Sequence, residues 1–319
     1  MQPFWQALPK PFCVLAPLED VTDAAFRRHI ANKGKPDVMW TEFTSADGLV
    51  LAPEKGRLSL LKKLMYSEGE RPIVAQLFSS SPERMEKAAS LCQELGFDGL
   101  DINMGCPDRS VEKSGCGAAM IKTPQLAREI IQAVRRGAPN IPTSVKTRIG
   151  YNKDEIDTWI PNILAERPAA LTVHLRTRKE MSEVPAHWEH MPRIVALRDA
   201  LSPQTLIIGN GDAQSIPDAR EKARVSGCDG VMLGRAIFGN PWLFANRESP
   251  PTREERIHAL IEHISLFQEL LGDTVHFAVM KKHFKAYISG WDNAKDLRVR
   301  LMEAETLNDS LAILRDSLK

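Results

Sequence analysis

The sequence predicts an α/β barrel of eight parallel strands, a TIM barrel, followed by a small C-terminal all-helical domain. Three observations carry this. Short apolar, β-branched runs recur about eight times in roughly the first 245 residues, separated by amphipathic stretches of helix length. Nearly every run ends in a polar or ionisable residue, as barrel strands do at the rim that carries active sites. A proline pair then breaks the pattern at Glu248-Ser-Pro-Pro251, and only helical spacing follows. An open doubly wound sheet is the rival, but its first turn carries G-x-G-x-x-G. Here that turn reads Ala16-Pro-Leu-Glu-Asp20, without glycine.

Strands are expected at 14–16, 38–41, 73–77, 99–102, 143–146, 171–174, 206–209 and 230–233. The residues at or just past their ends are Pro17 and Glu19, Glu42, Gln76, Asn103, Lys146, His174, Asn210, and Gly234 with Arg235. Ser81 and Thr123 each stand before a first-turn proline and read as N-caps, and Ser215 with Asp218 resembles a capping box. Gly96 and Gly227 read as helix stops. The first unit is 1–248 and the second 251–319. Thr252 and Glu255 form a capping box ahead of a helix marked by Ile257, Leu260, Ile261, Ile264, Phe267 and Leu271. Three further helices are expected near 275–289, 295–305 and 307–318.

A net charge of +1 points to no nucleic acid, membrane surface or acidic partner by itself. No apolar run approaches the roughly 18 residues of a membrane span, and residues 1–10 lack the order of a signal peptide. The five cysteines form no C-x-x-C pair, which suits reduced thiols and a cytoplasmic chain.

The chemistry gathers around 99–107. Strand alternation puts Asp101 and Asn103 on one face and Leu100 and Ile102 on the other. Gly105 permits a sharp turn, Pro107 ends the ladder, and Cys106 is left on the turn. Cys116, in Ser114-Gly-Cys-Gly117, is the competing loop thiol; Cys13, Cys92 and Cys228 read as inert core residues. Gly209-Asn-Gly-Asp212, the helix opened by Ser215, and Gly234-Arg235 together read as a phosphate grip. Lys146 suits a Schiff base, a cofactor anion or simple snorkelling. His174 suits a hydrogen-bond donor, with a structural role or metal ligation as rivals, and no metal is expected. Cations collect beyond the strand ends, among them Arg109, Lys113, Arg148, Arg176 and Arg178, and again in Lys281-Lys-His-Phe-Lys285.

Taken in order, Ala16-Pro-Leu-Glu-Asp-Val-Thr-Asp23, Asp101-Ile-Asn-Met-Gly-Cys-Pro107, Gly115-Cys-Gly-Ala-Ala119, Val145-Lys-Thr-Arg-Ile-Gly150, Val173-His-Leu-Arg-Thr-Arg178, Gly209-Asn-Gly-Asp212 and Asp229-Gly-Val-Met-Leu-Gly-Arg-Ala236 resemble the tRNA-dihydrouridine synthases. Gly239-Asn-Pro-Trp-Leu-Phe244 and Met280-Lys-Lys-His-Phe-Lys-Ala-Tyr287 extend the resemblance over nearly the whole chain. It implies FMN in the barrel mouth, NADPH as reductant, tRNA as substrate, a tRNA-binding role for 251–319, and a monomer without membrane or DNA partners. Pro17, Leu18 and Glu19 would line the flavin, and Gln76, Lys146 and His174 would meet its ring and ribityl chain. Asn210, Gly211, Asp212, Gly234 and Arg235 would hold its lower end and phosphate. Cys106 would be the general acid that protonates uracil C5 while C6 takes the hydride. Asn103, Arg148, Arg176, Arg178, Lys281, Lys282 and Lys285 are the expected substrate contacts. Leu175 stands where the family usually has glycine, Glu19-Asp20 replaces a commoner Ala-Gly, and 179–184 lacks the family's tyrosine. The alternative is an FMN barrel reductase of a small molecule, of dihydroorotate or enoate type.

Overall fold

The structure, a computed structural model, describes residues 4–245 and 247–319. Residues 1–3 and 246 of the expected first unit lie outside the described residues. The strands are β1 (Phe12–Leu15), β2 (Met39–Trp40), β3 (Thr44–Ser45), β4 (Ile73–Phe78), β5 (Gly99–Met104), β6 (Thr143–Arg148), β7 (Ala170–His174), β8 (Leu206–Asn210) and β9 (Gly230–Leu233). All pairs are parallel, in the order β1-β9-β8-β7-β6-β5-β4-β2, with β3 also on β4. The Asp37 amide donates to the Cys13 carbonyl at 3.0 Å and the Leu15 amide to that of Val38 at 3.4 Å, which brings β1 to β2 and nearly closes a TIM barrel.

The expected strand 38–41 shortens to β2, and an unexpected second short strand, β3, follows it. The Thr41 hydroxyl accepts the Gln76 amide at 3.1 Å, taking a place the backbone ladder would have used. The chain steps out at Glu42 and Phe43 before β3 resumes the pairing.

Alternation along the strands fills two spaces. Phe12, Val14, Trp40, Val74, Ile208 and Met232 fill the barrel, and Trp5 of the helix Phe4–Ala7 packs on Phe12 and Trp40. Leu100, Ile102, Val145, Leu171 and Ile207 face the surrounding helices, where most of the apolar area is removed from water. Ser81 and Ser215 cap their helices, accepting the Arg84 and Asp218 amides at 3.4 and 3.2 Å, and Gly227 closes its helix at φ +76°. Thr123 does not cap: it ends the 3-10 helix Gly117–Lys122, and its hydroxyl donates back to the Met120 carbonyl at 3.5 Å. The Asp218 carboxylate accepts the Gln214 amide at 2.9 Å, so the box with Ser215 is incomplete.

Past the proline pair come the helices Arg253–Leu271, Ala278–Tyr287, Ala294–Glu303 and Leu307–Asp316. The first opens with the Thr252 and Glu255 capping box and packs along the barrel helix Ala24–Gly34. Their seam holds three buried histidines. His29 stacks on His263 at 5.6 Å between ring centroids, and His263 meets His283 edge-on at 4.6 Å, beside Phe26 and Tyr287. Among the described residues, no nitrogen of the three rings has a hydrogen-bond partner; the Glu262 carboxylate is 3.7 Å from His29 Nδ1. Burial, with help from Lys33, lowers the pKa of His29 to about 3. Burial, with Lys282 and His29, does the same to His283. His263 is lowered as well, by burial and by its two neighbours.

This seam sets an acid limit. An unfolded histidine takes up a proton near pH 6.5, whereas the folded trio refuses it. The stabilisation is therefore complete above about pH 6.5 and is lost as pH falls toward 3. Each histidine is expected to remove about 1.4 kcal/mol per pH unit in that window. Urea denaturation between pH 7.5 and 5 checks this, and His263→Phe is expected to flatten the slope. Among the described residues, no helix is long and apolar enough to cross a membrane.

Candidate active site

The strand ends converge on a cavity of about 330 Å³, a size that suits a small ligand. Its floor is polar. Gln76 on β4 donates from Nε2 to Asp101 at 2.6 Å and accepts from Asn103 Nδ2 at 3.1 Å. Asp101 and Asn103 thus share the inward face of β5, as alternation requires. Asn103 Oδ1 reaches forward and accepts the amides of Gly105 and Cys106 at 3.1 and 2.9 Å. Asn103 is therefore committed to shaping the turn that presents Cys106. Gly117, at φ +62°, packs beneath that turn; an added Cβ would sit 2.6 Å from the Cys106 carbonyl.

Cys106 lines the cavity and is half-buried, whereas Cys116 is only 1% exposed with its thiol directed at the Ser114 carbonyl, 3.6 Å away. The expectation of Cys116 as an exposed rival is thereby corrected: the Ser114–Gly117 loop folds inward. Burial pushes the Cys106 thiol pKa up, and the nearby Asp108 and Glu19 charges add to it against the pull of an Asp108 hydrogen bond and Arg148.

Cations come from β6, β7 and the loop after β9. Lys146 opens to the cavity and to little else; burial and the Arg148 charge lower its pKa to about 8. Its ammonium donates to Asn210 Oδ1 at 3.2 Å, and Asn210 in turn donates to the Met232 carbonyl at 2.8 Å. Arg148 holds the Gly105 carbonyl at 2.8 Å and those of Thr177 and Met181 at 3.0 and 2.9 Å, which braces the cysteine turn from the other side. Arg176 is buried, donating to the Val184 carbonyl at 2.6 Å, Asp212 at 2.5 Å and His174 Nε2 at 3.1 Å. A guanidinium only donates, so His174 Nε2 is the acceptor and its proton sits on Nδ1. Burial and four surrounding cations hold His174 neutral.

Asp212 bridges Arg176 to Arg235, whose Nη2 is 2.7 Å from Oδ1. Gly211 sits at φ +136° against Ala186, where an added Cβ would come within 2.6 Å of the alanine Cβ. The Trp188 indole donates to the Gly211 carbonyl at 2.8 Å and pins this loop from behind.

Cys106, all the expected flavin contacts, Asn103, Arg148 and Arg176 line the one cavity. Arg178 does not: it pairs with Glu112 and lies over Tyr151. Nor do the three lysines. Lys281 donates to the Met302 carbonyl at 2.7 Å and Lys282 to that of Asp20 at 2.5 Å, while Lys285 is exposed. Phe43, Ser182 and the brace Trp188 are the residues the sequence reading missed. Phe43 follows strand-end Glu42 and was legible there; the other two lie in the long connection after β7.

Two groups of metal-capable side chains occur among the described residues, His187 with Glu189 and His190, and Glu19 with Asp20 and Glu42. The His187 nitrogens already face Glu180 and Glu189 at 3.0 and 3.1 Å. The Lys63 ammonium already pairs with Glu19.

A family model described as dihydrouridine synthase matches residues 14–319. A probable tRNA-dihydrouridine synthase of Staphylococcus aureus (strain COL) is 41% identical over 98% of this chain and 94% of that protein. The probable tRNA-dihydrouridine synthase 2 of Bacillus subtilis (strain 168) is 41% identical over 98% of this chain and 96% of that one. Among solved structures, histamine dehydrogenase from Rhizobium sp. 4-9 aligns with TM-score 0.54 at 12% identity, over 79% of this chain and 48% of that one. A 2-naphthoyl-CoA reductase complex aligns with TM-score 0.55 at 12% identity, over 73% of this chain and 49% of that one. This chain spans about half the length of those two, and the likeness is one of fold.

Proposed function

This chain belongs to the dihydrouridine synthase family, as a flavin-dependent oxidoreductase that makes dihydrouridine in tRNA, and from that premise we propose that its rim cavity binds FMN and that Cys106 supplies a proton. The observation that carries this is the meeting, in one cavity, of a thiol on a braced turn with Lys146, His174 and Arg235 on other strand ends.

The donor set fits the group. Lys146, Arg148, Arg176 and Arg235 make the mouth electropositive around an anion. An added Cβ at Gly234 would find nothing nearer than 3.7 Å, so the protein's own packing does not require glycine there, and its absence of side chain leaves backbone open to the cavity. Pro17, Leu18 and Glu19 would line the ring, with Gln76, Lys146 and His174 beside the ring and ribityl chain. Asn210, Gly211, Asp212, Gly234 and Arg235 would take the phosphate end.

When bound and reduced by NADPH, FMN supplies the hydride equivalent that uracil C6 receives. Cys106 donates its thiol proton to C5, and Lys146 and Arg148 offset negative charge developing at the uracil carbonyls. Asn103 positions Cys106 through the hydrogen bond its Oδ1 accepts from the Cys106 amide. A uracil stacked in tRNA cannot reach the cavity floor, so it is splayed out. Residues 251–319 serve as the tRNA-binding unit, with Lys285 as an exposed cation.

The test is the purified protein with NADPH and unmodified tRNA. A flavin spectrum, NADPH oxidation and dihydrouridine in the tRNA are expected. Arg235→Ala is expected to weaken FMN binding by about 10- to 100-fold, the worth of a charge-assisted phosphate contact, by fluorescence titration of the apoprotein. A colourless protein that leaves tRNA unchanged would sink the reading.

A further inference from the structure

Protonating C5 leaves Cys106 as a thiolate, and each turnover needs that proton returned. A nucleotide seated over the mouth would stand between Cys106 and bulk water. The first-strand loop offers another. Glu19 lines the active-site cavity together with Cys106. Its Oε2 is buried and, among the described residues, has no hydrogen-bond partner, while Oε1 pairs with Lys63. Behind it stands Glu42, only 4% exposed, whose Oε1 accepts the Asp20 amide at 2.6 Å. Carboxylate oxygens of Glu19, Asp20 and Glu42 lie within 4.8 Å of one another.

Glu42 in turn lines a second cleft, of about 60 Å³, between the barrel and the C-terminal helices. That is room for a few waters among polar walls. The cleft is bounded by Asp20, Asp23 and Lys63 on the barrel side and by Leu271, Thr274 and Val279 on the helical side. The carboxylate pair therefore separates two cavities, one holding the thiol and the other meeting water at the domain seam.

We propose that Glu19 and Glu42 form a proton relay that recharges Cys106 from the interdomain cleft; this rests on Cys106 being the acid. The protons balance without electron transfer. The S–H bond breaks as the C5–H bond forms; the Glu42 carboxyl then passes its proton to the Glu19 carboxylate, Glu19 hands it through cavity water to the thiolate, and water of the cleft reprotonates Glu42. A thiolate is a far stronger base than a carboxylate, so the return runs downhill. Burial, with the Glu19 and Asp23 charges opposing Lys63 and Arg27, raises the Glu42 pKa to about 7, so it holds and releases protons at neutral pH. Burial raises Glu19 too, against its Lys63 partner. Asp20, Lys282 and Lys62, which lines the cleft with Glu42, are the remaining charges facing the pair.

The holoenzyme with unmodified tRNA tests this. Glu42→Gln is expected to lower steady-state dihydrouridine formation about tenfold and to remove an inflection near pH 7 from the rate profile. The first turnover of pre-reduced enzyme uses the proton already on sulfur, so it falls far less. Glu42→Asp restores part of the rate. In the apoprotein, the infrared carbonyl band of a protonated carboxyl is expected to titrate near neutral pH and to vanish in Glu42→Gln. An unchanged steady-state rate and pH profile in Glu42→Gln, or an equal loss in first and later turnovers, would overturn the relay alone. A fully active Cys106→Ala would overturn the acid assignment and the relay with it.

Discussion

Cys106→Ala is expected to keep its flavin and lose most dihydrouridine formation, by about 10²- to 10⁴-fold, the usual worth of a positioned general acid. The two effects separate because the cysteine turn and the phosphate end come from different strands. The turn is held by Asn103 from below and by Arg148 through the Gly105 carbonyl, and neither bond uses the thiol. The proposed phosphate end is built from Asn210 at the end of β8 and from Asp212 and Arg235 just past β8 and β9. The measurements are the visible spectrum of the purified variant and the dihydrouridine content of treated tRNA. The wild-type pH profile carries the sign. Burial raises the thiol pKa, so Cys106 stays protonated through neutral pH; the first turnover of pre-reduced enzyme is expected to persist into mildly alkaline solution and to fall as pH rises through that raised value. A variant as active as wild type would remove Cys106 from the mechanism.

Glu70→Ala is expected to cost about 3–5 kcal/mol of stability, the loss typical of a buried ion pair broken on one side. Arg27 and Glu70 meet at 2.8 Å with both side chains fully buried. The arginine also donates to the Thr22 carbonyl at 2.8 Å and to that of Met65, and Glu70 takes the Ser67 amide at 2.8 Å. Alanine at 70 leaves a guanidinium buried without its counter-charge. Replacing both, as in Arg27→Met with Glu70→Leu, is expected to cost much less, because no unpaired charge remains. Urea denaturation of the two variants measures the difference. The pair also reaches the site: Thr22 follows the loop that carries Pro17, Leu18 and Glu19 into the cavity, and its hydroxyl accepts the Leu18 amide at 2.9 Å. The single variant is therefore expected to lose flavin before it unfolds.

Leu175 shows how a sequence departure is resolved by packing. It stands at a family glycine position, yet it is fully buried, with its amide on the Asn210 carbonyl at 3.0 Å and its carbonyl taking the His187 amide at 2.8 Å. The side chain adds to the core between barrel and helices, and the backbone still delivers His174 and Arg176 to the rim.

The sequence alone determined the alternation of strands and helices, the strand-end polar residues and the Cys106 turn, because these are local. Two-residue periodicity, a glycine where the chain must bend and a proline where the ladder must stop are legible within a few positions. That is why β9 has the expected bounds and why most of the polar residues expected one strand end at a time share one cavity. Tertiary structure alone decided what each charge does. Arg176 and Arg178 read alike along the chain as rim cations, and Lys282 as a cation of the helical unit. Folding brings the first to His174 and Asp212, the second to Glu112 and the third to Asp20, 262 residues away. It also buries Cys116, builds the histidine seam and sets Glu42 between two cavities. A side chain's charge and exposure depend on what crosses to it from distant strands and helices, and those partners have no local signature.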